Sequence, residues 1–121
     1  MPDFKNWLAK LGKAWSERDP KAAASLFSED CIYYESVFEE PCKNWDGILK
    51  LWQAVPLSQK DIKFNFKIVA FSGDVCVANW KVSRTLLPSM EKQIIDGIFQ
   101  ISLNEQGLCN YFKQWRSLKI L

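Results

Sequence analysis

The chain has 121 residues, 48% hydrophobic and 25% charged, with 16 basic side chains against 14 acidic ones for a net charge of +2. This is the size and balance of one soluble globular domain, residues 1–121, with enough apolar material for a core that needs no metal or disulfide staple. The charges are interspersed, which excludes both the basic stripe of a nucleic-acid binder and the polybasic segment of a membrane anchor.

Phe4, Trp7, Leu8, Leu11 and Trp15 recur at helical spacing and predict an amphipathic helix over about residues 3–17. Asp19-Pro20 ends it and starts a second, short helix, because Asp caps well and Pro at the first helical position misses no hydrogen bond. Ala22, Ala23, Leu26 and Phe27 would pack inward. Cys31–Val37 alternates and reads as a strand, with Tyr33 and Glu35 on one face and Ile32 and Tyr34 on the other. After Phe38-Glu39-Glu40-Pro41, Asn44 or Asp46 can cap a third helix carrying Ile48, Leu49 and Trp52 and ending before Pro56.

The rest predicts four antiparallel strands. Ile62 to Ala70 alternates, Ser72-Gly73-Asp74 turns, and Val75–Arg84 places Cys76, Ala78, Trp80 and Val82 on one face. Leu87-Pro88-Ser89-Met90 leads to a strand over Gln93–Leu103, and Asn104-Glu105-Gln106-Gly107 to a last one over Leu108–Leu118. Gly97 inside a strand pattern signals a bulge or a close backbone approach. Helices first and strands afterwards mark an α+β fold, with three helices from the N-terminal half packed on a strongly curved antiparallel sheet.

No histidine is present. His-based triads and His-ligated metals are therefore impossible, and proton transfer within the chain must use Asp, Glu, Lys, Tyr or Cys. The four cysteines, at 31, 42, 76 and 109, form no Cys-x-x-Cys pair, so no metal is expected, and nothing calls for a cofactor. They are expected to be reduced and packed as small apolar side chains. Met1-Pro2-Asp3-Phe4-Lys5 lacks a signal-peptide profile and no apolar run has membrane-spanning length, so a cytoplasmic location is expected.

Several segments together carry a family resemblance: Ala14-Trp15 with Arg18-Asp19, Leu26-Phe27-Ser28-Glu29-Asp30-Cys31 followed by Tyr33, and Asp46-Gly47-Ile48 with Trp52. Trp80, Asp96-Gly97-Ile98-Phe99, and Gly107-Leu108-Cys109 with Trp115 continue it. In this order the chain resembles the cone-shaped domains named after nuclear transport factor 2, and within them the SnoaL-like branch. The resemblance implies a sheet curled around an apolar pocket closed by helices, and a homodimer paired through the open sheet face. It also implies a carboxylate on the strand after the second helix, a position that Glu35 matches. The first-helix Tyr of the superfamily's isomerases falls near Leu11 here, and their late-strand Asp falls nearer Phe99 than Asp96. The Asp-Arg-Asp set of the epoxide hydrolases and the paired His of the dehydratases do not occur.

Glu35, on an otherwise apolar strand, is the candidate general base; the alternatives are a solvated or ion-paired carboxylate at the rim. Asp96 is either a second catalytic group, a protonated donor in the pocket, or the residue that holds a bulge at Gly97. Trp15, Tyr33, Trp45, Trp52, Trp80, Phe99, Tyr111 and Trp115 are the candidate ligand-binding wall, against the alternative of core or dimer contacts. Arg84 and Arg116 read as surface charges or as contacts for an anionic group. Two functions follow: a pocket for an apolar or aromatic small molecule, with proton-transfer chemistry of isomerase, cyclase or dehydratase type, or a non-catalytic dimeric binding or interaction domain.

Overall fold

A computed structural model describes residues 2–121, so Met1 lies outside the described residues. Helix α1 spans Phe4–Ser16 and buries Phe4, Trp7, Leu8, Leu11 and Trp15, the stripe the spacing predicts. Asp3 caps it, accepting from the Asn6 amide over 3.0 Å. The helix ends in a left-handed residue, Arg18 at φ 54°. The Arg18 and Asp19 amides reach back to the Trp15 and Ala14 carbonyls, which satisfies acceptors the helix would otherwise leave free. Asp19 then caps α2 (Pro20–Ala24), accepting from the Ala22 amide. One short segment thus stops one helix and starts the next.

Strand β1 covers Phe27–Tyr34, earlier than the alternation predicts. Phe27 and Cys109 are register partners, and the Cys109 amide donates to the Leu26 carbonyl over 2.8 Å, so pairing with a distant strand draws Phe27 out of the helix and into the sheet. The chain leaves the strand after Tyr34 and folds back, and Cys42 exchanges two backbone hydrogen bonds with Tyr33. Helix α3 (Trp45–Gln53) starts at Asn44, whose side chain accepts from the Gly47 amide. A further single turn, α4 (Val55–Ser58), follows around Pro56 and was not anticipated by the sequence pattern.

The strands β2 (Gln59–Ser72), β3 (Val75–Leu86), β4 (Lys92–Leu103) and β5 (Cys109–Ile120) form the predicted antiparallel meander. The order across the sheet is β1-β5-β4-β3-β2, and β1 joins β5 in parallel, so the five-stranded sheet is mixed. It curls without closing and has β1 and β2 at its edges. Two register shifts in β2, after Lys60 and after Ile68, help bend that long strand. The helices cover the concave face, where Leu8, Leu11, Ile48, Trp80, Ile95 and Phe99 make up much of the core.

Gly97 is a close approach and not a bulge. It pairs in register with Trp80 on one side and Arg116 on the other. A Cβ there would meet the Trp115 carbonyl and come within 2.7 Å of the Trp80 indole. No helix among the described residues is long and apolar enough to cross a membrane.

Candidate active site

A cavity of about 430 Å³ opens between α3, α4 and the concave face of the sheet. That is within the range of small-molecule sites. Its aromatic wall is Trp15 from α1, Tyr33 from β1, Trp52 from α3, Phe99 from β4 and Phe112 from β5. The rings brace one another. Tyr33 stacks on Phe112 at 4.5 Å and 15°, and Trp15 meets Trp52 edge-on at 5.6 Å and 89°. Phe99 stacks on Trp80 at 4.7 Å. Five supporting rings cost little to hold in place, because each has only two side-chain torsions and all are packed.

The polar groups are few. Glu35, just past the end of β1, faces this wall, and Gln114 of β5 fixes it by donating from Nε2 to the Glu35 carbonyl oxygen over 2.9 Å. Burial raises the Glu35 pKa; the charge of Arg116 and a hydrogen bond from Tyr33 oppose the rise, Glu39 adds to it, and Arg84 opposes it. The balance leaves the carboxyl a stronger proton acceptor than an exposed one. Tyr33 is pushed well above its ordinary value by burial and by the Glu35 carboxylate, so its hydroxyl stays protonated at neutral pH. Trp15 Nε1 donates to Gln59 Oε1 over 3.0 Å. Trp52 Nε1, on the same wall, is buried with no partner. Among the described residues, no cluster of three or more His, Cys, Asp or Glu could hold a metal.

The structure therefore brings together Glu35, Trp15, Tyr33, Trp52 and Phe99 from the sequence candidates. Trp80 stands one layer behind, fully buried against Trp15 and Phe99. Four others lie elsewhere. Asp96 is on the convex face, half-exposed, where its carboxylate accepts from Asn79 Nδ2 over 2.7 Å and sits 3.8 Å from Lys81 Nζ. It neither reaches the cavity nor holds a bulge. Trp45 donates to the Ala24 carbonyl and clamps α3 onto α2. Tyr111 rests near Tyr34, and Trp115 faces outward beneath the Lys113 ammonium.

Arg84, Gln59, Gln114, Arg116 and Lys50 complete the polar lining; the sequence gave Gln59, Gln114 and Lys50 no role and left Arg84 and Arg116 as surface charges or contacts for an anionic group. Strand parity is the signal that finds three of them. Arg84 shares the inward phase of Trp80 and Val82, and Gln114 and Arg116 share that of Phe112.

Solved structures with the same fold are numerous. The epoxide hydrolase/cyclase-like enzyme SalBIII, of pyran ring formation in the polyether salinomycin, superposes with a TM-score of 0.83 at 13% identity, over 97% of this chain and 95% of that one. A computationally designed 17-OHP binder gives 0.80 at 12% identity, over 98% of each chain. A nuclear transport factor 2-like protein of unknown function from Exiguobacterium sp. 255-15 gives 0.76 at 21% identity, over 92% of this chain and 98% of that one. At these identities the likeness is one of fold. No curated protein matches the sequence significantly. The SnoaL-like domain model matches residues 8–110, and the chain belongs to that family.

Proposed function

We propose that the cavity binds an apolar, ring-containing small molecule and that Glu35 accepts a proton from it. The observation that carries this reading is that Glu35 lines a cavity together with the rings of Trp15, Tyr33, Trp52, Phe99 and Phe112, as its one carboxylate. Flat rings favour a flat ligand, and a carboxylate kept partly from water is a competent base for a C–H next to a carbonyl. In that step the C–H bond breaks, its electron pair forms an enolate, and the proton rests on Glu35 until it is returned to carbon or oxygen. Tyr33 steadies the base through its hydroxyl. The likeness in fold to a cyclase-like enzyme and to a designed small-molecule binder agrees with a ligand-holding cone.

The reading is tested by deuterium exchange into 2-tetralone, followed by proton NMR. Wild-type protein should accelerate exchange, and Glu35→Gln should lower the rate by about 10²–10⁴-fold. Equal rates for the two proteins would refute the base assignment.

We also propose that two copies pair through the convex sheet face. Val77, Ile98 and Trp115 line a shallow depression of about 330 Å³ there, and Ile94 on the same face is exposed. Aromatic and branched side chains on an open face suit a self-complementary contact. Sedimentation velocity should give a dimer for the wild type and a monomer for Trp115→Glu; a monomeric wild type would refute the pairing. The burial of Cys31, Cys76 and Cys109 as small apolar side chains supports the further reading that the thiols stay reduced in the cytoplasm.

A further inference from the structure

We propose that Arg84 and Arg116 form an anion subsite at the end of this cavity, and that the ligand is an aromatic or polycyclic carboxylate. The inference rests on the reading of the cavity as a ligand site and adds the chemical class of the ligand.

Arg84 is held in a set orientation. Its Nε donates to Gln93 Oε1 over 3.0 Å, and Gln93 Nε2 donates to Glu91 Oε1 over 2.6 Å. Because the Glu91 carboxylate can only accept, it turns the Gln93 amide so that its oxygen faces Arg84. The chain Glu91–Gln93–Arg84 uses the one guanidinium nitrogen nearest the backbone. The two terminal nitrogens have no acceptor among the described residues, on a side chain that lines the cavity.

Arg116 lines the same cavity from β5, and no carboxylate lies within ion-pair distance of either arginine; the only ion pair among the described residues joins Lys81 and Asp96. The two guanidinium groups feel one another. Burial and the Arg116 charge both lower the Arg84 pKa, partly offset by Glu35. Two like charges thus face one cavity, Arg84 half-buried and Arg116 exposed at its edge, an arrangement that a bound anion relieves. Lys50 adds a third cation to the lining, against the single carboxylate of Glu35, with Glu39 outside the wall.

A carboxylate fits this better than a phosphate ester does. Its two oxygens match the paired terminal nitrogens of Arg84 in one plane, and a carboxylate conjugated to a ring is flat, as the space beside the stacked rings requires. A dianion would bring a second negative charge toward Glu35. With its anionic end on Arg84 and Arg116, the ring system lies along Tyr33 and Phe112, and Glu35 meets it from the side.

The experiment compares 2-naphthoate with its uncharged isostere 2-naphthamide, by calorimetric titration at neutral pH. Wild-type protein should bind 2-naphthoate about tenfold more tightly than the amide, the scale of a charge-assisted hydrogen-bonded pair. Arg116→Gln should remove most of that preference, weakening 2-naphthoate much more than 2-naphthamide. Arg84→Lys, which keeps the charge and loses the fork, should also reduce it. Equal affinity of wild type for the two probes, or a preference that survives in both variants, would overturn the anion subsite and leave the cavity reading standing. Failure of both probes to bind would overturn the cavity reading and the subsite with it.

Discussion

Gln114 of β5 donates to the backbone carbonyl of Glu35 over 2.9 Å, and this bond holds in place a residue that lies just beyond the last paired position of β1. Tyr34 is the last residue of β1 in register with β5, at Lys113. Without Gln114 the chain at Glu35 would have no tie to the sheet from that side. Gln114→Leu keeps the apolar bulk and removes the donor. It should leave the melting temperature within a few degrees and still slow deuterium exchange into 2-tetralone, because the base loses its fixed position. An exchange rate equal to wild type would show that Gln114 does not position Glu35.

The pH dependence of stability follows from the same residue. Burial raises the pKa of Glu35 above its ordinary value near 4.5, so the native state holds that proton more tightly than the unfolded chain does. The resulting stabilisation is complete below the unfolded pKa and is lost as pH rises through the raised folded value. Glu35→Gln, which keeps a neutral side chain at every pH, should therefore gain in melting temperature relative to wild type on passing from acid to neutral pH. Parallel melting curves for the two proteins across that range would contradict a raised pKa.

Gly97→Ala tests the close approach of β4 to its neighbours. The added methyl meets the Trp115 carbonyl and the Trp80 indole, both held by the sheet and the core. The substitution should cost about 1–3 kcal/mol in guanidinium unfolding, the usual penalty of overpacking. A wild-type midpoint would mean that β4 and β5 can move apart at this level without loss.

Asp96→Ala should behave in the opposite way. The carboxylate is half-exposed on the convex face, with Asn79 and Lys81 as partners, so its loss should cost under about 1 kcal/mol. Exchange into 2-tetralone should be untouched. A large fall in that rate would return Asp96 to the site.

Much of the fold is legible in the sequence because it is locally encoded. The stripe from Phe4 to Trp15, the cap and stop at Asp19-Pro20, and the alternation from Ile62 onward each identify their element without help from elsewhere. The start of β1 is not legible, since only the distant Cys109 draws Phe27 into the sheet.

Two of the misplaced candidates, Tyr111 and Trp115, fail for a related reason. The β4–β5 register slips between Ser102 and Leu103, which pair with Tyr111 and Cys109 and leave Asn110 unmatched. Cys109 and Phe112 both point inward across that irregularity, so a phase counted from Cys109 wrongly sends Tyr111 and Trp115 into the cavity. Asp96 fails more simply. It has the opposite parity to Ile95, Gly97 and Phe99, and the strand pattern alone places it outside.

The most direct test of the central claim is a crystal structure of the protein grown with 2-tetralone. The account predicts the ligand's rings in the cavity beside Tyr33 and Phe112, with an α-carbon in reach of the Glu35 carboxyl. A cavity closed by Trp15 and Trp52, with Glu35 turned to solvent and the ligand elsewhere or absent, would contradict it.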